Sequence, residues 1–172
     1  RDLSRDLEKV YPGRSTSAVC FGLPYPEYDM ALNNRYLAAE SDRARFFPLR
    51  LFDPCKDDSA SLRRDLLEGK FLGLKPYLDY VRNKHAAEVE INDMLPDWCM
   101  QIADELGLIV MLHIPRSGRL ADPLNQEQLV DLCRNYPGAR VVLAHVGRAY
   151  FLKNVTGNAE RLKDLPNLWF DL

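Results

Sequence analysis

Two short runs constrain this chain more than any other feature. Leu108–His113 (LIVMLH) and Val141–His145 (VVLAH) are strand-length, almost wholly apolar, and each stops at a histidine followed within a few residues by Gly and Arg. A strand without polar alternation is buried on both faces, and both-face burial is the mark of a parallel sheet covered by helices. The segment between the runs, Asn125–Asn135, reads as an amphipathic helix, with Asn125 as its cap and Gln128 three residues on. Strand, helix and strand in about thirty residues is a βαβ unit.

The pattern extends in both directions. Thr16–Leu23, Phe46–Phe52, Phe71–Tyr77 and Asn167–Leu172 read as further strands. Pro24 and Pro26 end the first of them. Asn33–Ser41 reads as a helix with an Asn available as cap, Ala60–Glu68 as one closing at Gly69, and Ala159–Lys163 as a short one. Asp93–Leu106 reads as a single helix, with Pro96 in its first turn and Gly107 as its stop. Six strands in 172 residues scale to about 250 residues for eight, the usual size of a (β/α)8 barrel. The expectation is one α/β domain over residues 1–172, an incomplete TIM barrel of about six βα units lacking the first and eighth strands. A complete doubly wound open sheet is the competing reading.

Charge narrows the function classes. Lys and Arg number 23 against 25 Asp and Glu, a formal net charge of −2. No basic footprint for nucleic acid is present, and no apolar run is long enough to span a bilayer. No signal peptide is read at the start, and Cys20, Cys55, Cys99 and Cys133 lack metal or redox spacing, so the expectation is a cytoplasmic protein with reduced thiols. Neither a G-x-G-x-x-G nor a Walker-type phosphate loop occurs.

In either α/β architecture the C-terminal strand ends carry function. His113 and His145 both fall there, one βα unit apart. By alternation, His113 shares a face with Met111 and Ile109, and His145 with Leu143 and Val141. Each histidine is either a satisfied core residue or one of a pair, a metal ligand and a general base. His85, in a polar stretch, reads as a surface residue. Arg116, Arg119 and Arg148 lie just past the two histidines and suit a carboxylate, or are solvated loop residues. Gly118 and Gly147 either admit close approach of a ligand or form turns.

Together GLKPY, GLIVMLHIPRSG, YPGARVVLAHVGR and NLWFDL resemble the amidohydrolase-2 family of metal-dependent hydrolases and decarboxylases on a distorted (β/α)8 barrel. The resemblance implies that His113, ending the fifth barrel strand, is a metal ligand, and that His145, ending the sixth, is the catalytic histidine. Lys75, ending the fourth, is implied as substrate-facing or buried, with a carboxylated metal-bridging lysine as the lesser alternative. The family's first-strand His-x-His pair and eighth-strand Asp do not occur here, and Asp171 falls on the seventh strand as a supporting residue. The implied cofactor is one divalent metal, Zn²⁺ or else Mn²⁺. The implied partner is a small anionic, carboxylated substrate, with no nucleic acid or membrane, and a homo-oligomer left open. The chain is expected to be a fragment, inactive alone, of a hydrolase. Non-oxidative decarboxylation and a non-catalytic barrel segment are the alternatives.

Overall fold

The computed structural model describes residues 2–25 and 27–171. Pro26 and Leu172, assigned above to a strand break and a strand end, lie outside the described residues. Six strands form one sheet: β1 (Ala18–Cys20), β2 (Phe46–Leu51), β3 (Gly73–Lys75), β4 (Ile109–Leu112), β5 (Arg140–Leu143) and β6 (Leu168–Phe170). Each pairs in parallel with the next, in the order β1-β2-β3-β4-β5-β6. That order decides between the two architectures. Right-handed crossovers that always step the same way leave every helix on one face, and the sheet curls into an incomplete barrel. A doubly wound sheet requires a reversal of strand order, and none occurs among the described strands.

The helices include α1 (Leu3–Val10), α2 (Met30–Glu40), α3 (Ser59–Glu68), α4 (Ile91–Met94), α5 (Asp97–Glu105) and α6 (Pro123–Asn135), and a further short helix, Leu152–Val155, lies between β5 and β6. Their starts correct the sequence reading. Asp29, not an Asn, caps α2 by accepting the Leu32 N–H. Asp122, not Asn125, caps α6, with Pro123 at the first helical position, where its missing N–H costs nothing. Asn125 is instead buried and donates to the Pro115 and Arg119 carbonyls. The expected capping box with Gln128 is absent. Gln128 accepts the Ile91 N–H and donates to Glu90, joining α6 to α4. The single helix expected over Asp93–Leu106 is two, because Pro96 forces Leu95 out of helical geometry. Gly107 does stop α5, with φ +62°. Ala159–Arg161 is a 3₁₀ turn rather than an α-helix.

The two faces of the sheet differ. Leu74, Val110, Leu112, Val141 and Leu143 turn outward and are buried with Leu62, Leu66, Ile102 and Leu129 of the helices. The inner row follows from the register, since parallel partners share a face: Leu51 with Lys75, Met111 with Val142, Val142 with Trp169. By alternation, Phe21, Tyr77, His113, Ala144 and Asp171 continue this inner row beyond the strand ends. Gly73 sits where β3 runs closest to β4, and a Cβ there would lie 1.9 Å from the Ile109 carbonyl oxygen.

Candidate active site

The C-terminal strand ends enclose an inner cavity of about 340 Å³ lined by Val19, Phe21, Lys75, Tyr77, Met111, Ala144, His145 and Asp171. His113 stands beside it, with its ring centre 5.6 Å from that of His145, edge to face, and 5.4 Å from that of Tyr77. The predicted pair is therefore in contact. Their routes to the mouth differ. His113 arrives by strand alternation with Met111, as read from sequence. His145 does not: Val141 and Leu143 point into the helix-side core, and the chain leaves β5 through a left-handed turn.

That turn is unusual. His145, Val146, Gly147 and Arg148 have φ of 53°, 51°, 64° and 55° in succession. A β-branched residue there is a true outlier, and each non-glycine residue in this region costs on the order of 1 kcal/mol or more. The surroundings hold it. The Val146 N–H donates to the Asp171 carbonyl (2.8 Å), the Ala144 N–H to that of Leu112 (3.0 Å), and Arg148 Nη1 to that of Ile114 (3.1 Å). The strained turn includes His145 itself and sets its ring against that of His113.

Lys75 is 1% exposed. Its Nζ donates to the Met111 carbonyl at 3.1 Å and lies 4.6 Å from the Tyr77 ring centre and 5.3 Å from that of Phe21. Burial lowers its pKa to about 8, against a smaller opposing pull from Asp171. Asp171 therefore does support the site, through its charge on Lys75 and its backbone on the His145 turn. Tyr77 and Phe21 were not singled out in the sequence. The available signal for Tyr77 was its place two residues past Lys75, which returns the chain to the same face.

Burial holds the His113 pKa down at about 4, helped by the positive charges of Arg148 and Lys75. The ring is thus neutral at pH 7, and its Nδ1 is buried without a hydrogen-bond partner. A neutral imidazole with an unused buried nitrogen suits a metal ligand. The rest of a donor set is not here: among the described residues, no group of three His, Cys, Asp or Glu is placed to hold a metal ion. His113 fits as one ligand, not as a site.

The three arginines do not enter the inner cavity. Arg116, Arg119 and Arg148 line a neighbouring cavity of about 390 Å³, together with His85 and Ser117. Arg116 Nε is paired with Asp122 at 3.0 Å, and the Arg119 guanidinium lies 4.4 Å from the Tyr150 ring centre. His85 is exposed, as its polar neighbourhood implied, but it faces this cavity.

The chain belongs to the amidohydrolase-2 family: the amidohydrolase family model matches residues 27–172. Its fold is that of 4-oxalomesaconate hydratase from Rhodopseudomonas palustris (19% identity, TM-score 0.65) and of an uncharacterised TIM-barrel protein from Bordetella bronchiseptica (14%, TM-score 0.60). Each alignment covers 98% of this chain and 58% of the other. The fold is also that of 2,6-dihydroxybenzoate decarboxylase complexed with 2,6-dihydroxybenzoate, at 16% identity and TM-score 0.57, over 99% of this chain and 68% of that one. No curated protein sequence matches significantly. No helix among the described residues is long and apolar enough to cross a membrane.

Proposed function

We propose that this chain carries one side of the active site of a metal-dependent hydrolase acting on a small carboxylated substrate in the cytoplasm. The observation that supports this most strongly is the His113–His145 contact beside Lys75 and Asp171 at the C-terminal strand ends. His113 supplies one ligand to a divalent ion, Zn²⁺ or Mn²⁺, and the other ligands come from outside the described residues. When bound, such an ion polarises a carbonyl group or lowers the pKa of a bound water.

The chain's own residues do the rest. His145, exposed at the mouth, moves a proton between water and substrate. Lys75 presents its ammonium to the inner cavity and binds the carboxylate nearest the reacting centre. Phe21 and Tyr77 exclude water from that contact, which strengthens it. Non-oxidative decarboxylation is the second reading. The observation that favours it is Lys75 itself, a buried cation facing the cavity, where it stabilises the negative charge left as CO₂ departs.

Metal analysis of the full-length protein tests the assignment. About one Zn²⁺ or Mn²⁺ per chain is expected, lost in His113→Ala. His145→Ala is expected to keep the metal and lose activity. Unchanged metal in His113→Ala refutes the ligand role.

A further inference from the structure

The setting of Lys75 is that of a nucleophile as much as of a cation. Its Nζ has one neutral hydrogen-bond partner, the Met111 carbonyl at 3.1 Å, and makes no ion pair among the described residues. The ring centres of Phe21 and Tyr77 lie 5.3 Å and 4.6 Å from it. Both rings line the inner cavity with Val19, Met111 and Ala144, so the wall around the amine is largely apolar. A lysine without a bound counter-charge in an apolar wall is held partly as the free amine, and only that form carries the lone pair that attacks carbon. Its pKa of about 8 agrees with this placement. At pH 7 about a tenth of such a lysine is free amine, against about one part in a few thousand for an exposed one.

The cavity supplies what an attack on a carbonyl needs. Its volume of about 340 Å³ has room for a short organic acid. His145 lines it and is exposed at its mouth, where it exchanges protons with water. Asp171 also lines it and acts on Lys75 through its charge, which steadies a permanent cation formed at Nζ.

We propose that Lys75 is a covalent nucleophile: its amine attacks the ketone carbonyl of a short oxo acid in the inner cavity and forms an imine. This goes beyond the functional reading above and rests on it only for the substrate's place against Lys75. The Nζ lone pair forms the C–N bond, and the carbonyl electron pair moves to oxygen. One proton passes from nitrogen to that oxygen, a second comes from His145, and the oxygen leaves as water. The product is an iminium that keeps one N–H and carries the positive charge. In a β-oxo acid the C–C bond to the carboxylate then breaks and CO₂ departs. The electron pair of that bond runs into the iminium and gives a neutral enamine. Protonation at carbon, then hydrolysis, returns the ketone and the free lysine.

The test is reductive trapping. The full-length protein is incubated at pH 7 with pyruvate and sodium cyanoborohydride, which reduces an imine to a stable secondary amine, and the modified residues are read by peptide mass spectrometry. Lys75 is expected to be labelled at least about tenfold faster than exposed lysines such as Lys56 and Lys153. Lys75→Met should lose that label and keep the slow labelling of the exposed lysines, which also reports that the variant is present and reactive. Labelling confined to exposed lysines overturns the proposal, as does a Lys75 labelled no faster than they are. His113→Ala should keep the Lys75 label. Metal absent with that label intact therefore counts against the functional reading and not against the imine. Metal bound with Lys75 unlabelled counts against the imine alone.

Discussion

Replacing Lys75 with Met should make the protein more stable and less active. The magnitude follows from the site. Lys75 is 1% exposed, and its pKa falls from an ordinary 10.5 to about 8. At about 1.4 kcal/mol per pH unit, the charged lysine costs the folded state about 3 kcal/mol at pH 7. A methionine of similar length fills the slot between Phe21 and Tyr77 without that penalty. In a protein of this size, about 3 kcal/mol corresponds to a rise in Tm on the order of 5–10 °C. The pH dependence gives a second signature. Below pH 8 the lysine is protonated in both states and the full penalty stands. Between about 8 and 10.5 the folded protein releases the proton while the unfolded chain keeps it. Wild-type stability then rises with pH, relative to the variant, and the gap closes. Thermal unfolding of both proteins at pH 7, 9 and 10.5 measures this. A variant that is less stable at pH 7, by an amount that does not change with pH, would refute the reasoning. Activity should fall in the same variant, the pattern expected when a costly buried charge is kept for its chemistry.

Gly73→Ala should abolish the β3–β4 pairing, because its Cβ would meet the Ile109 carbonyl, so near-complete loss of folded protein by circular dichroism is expected. Asp57→Ala leaves Arg50, 4% exposed, with only Asp65 as a charged partner, and should cost about 3 kcal/mol in urea unfolding. Thiol titration of the native protein should modify Cys55 first. Cys133, its pKa pushed up to about 12 by burial, and Cys99, buried and pushed up further, should react only on unfolding. Four equally fast thiols would contradict the packing.

Local chemistry was legible wherever a short-range rule sufficed. The apolar runs ending at His113 and His145 announced strands, but these are buried on the helix side and only half-buried on the inner face; Gly107 announced the end of a helix. The helix starts were misread at Asn33 and Asn125 because an aspartate a few residues upstream competes for the same cap, and Asp29 and Asp122 won. The place of His145 was misread for a different reason. Alternation holds only while the backbone stays extended, and four left-handed residues cancel it.

By itself, the sequence determined the alternation of strands and helices, the parallel sheet and the two histidines just past the C-terminal ends of neighbouring strands, because periodicity and burial act over a few residues. Only the tertiary structure decided which face each side chain reached. It set Lys75 between two rings, brought His145 against His113 through a strained turn, and sorted the cations into two cavities. Those outcomes depend on register between strands and on contacts such as Val146 with Asp171 and Arg148 with Ile114. These join residues 25 to 34 positions apart, beyond the reach of any local pattern.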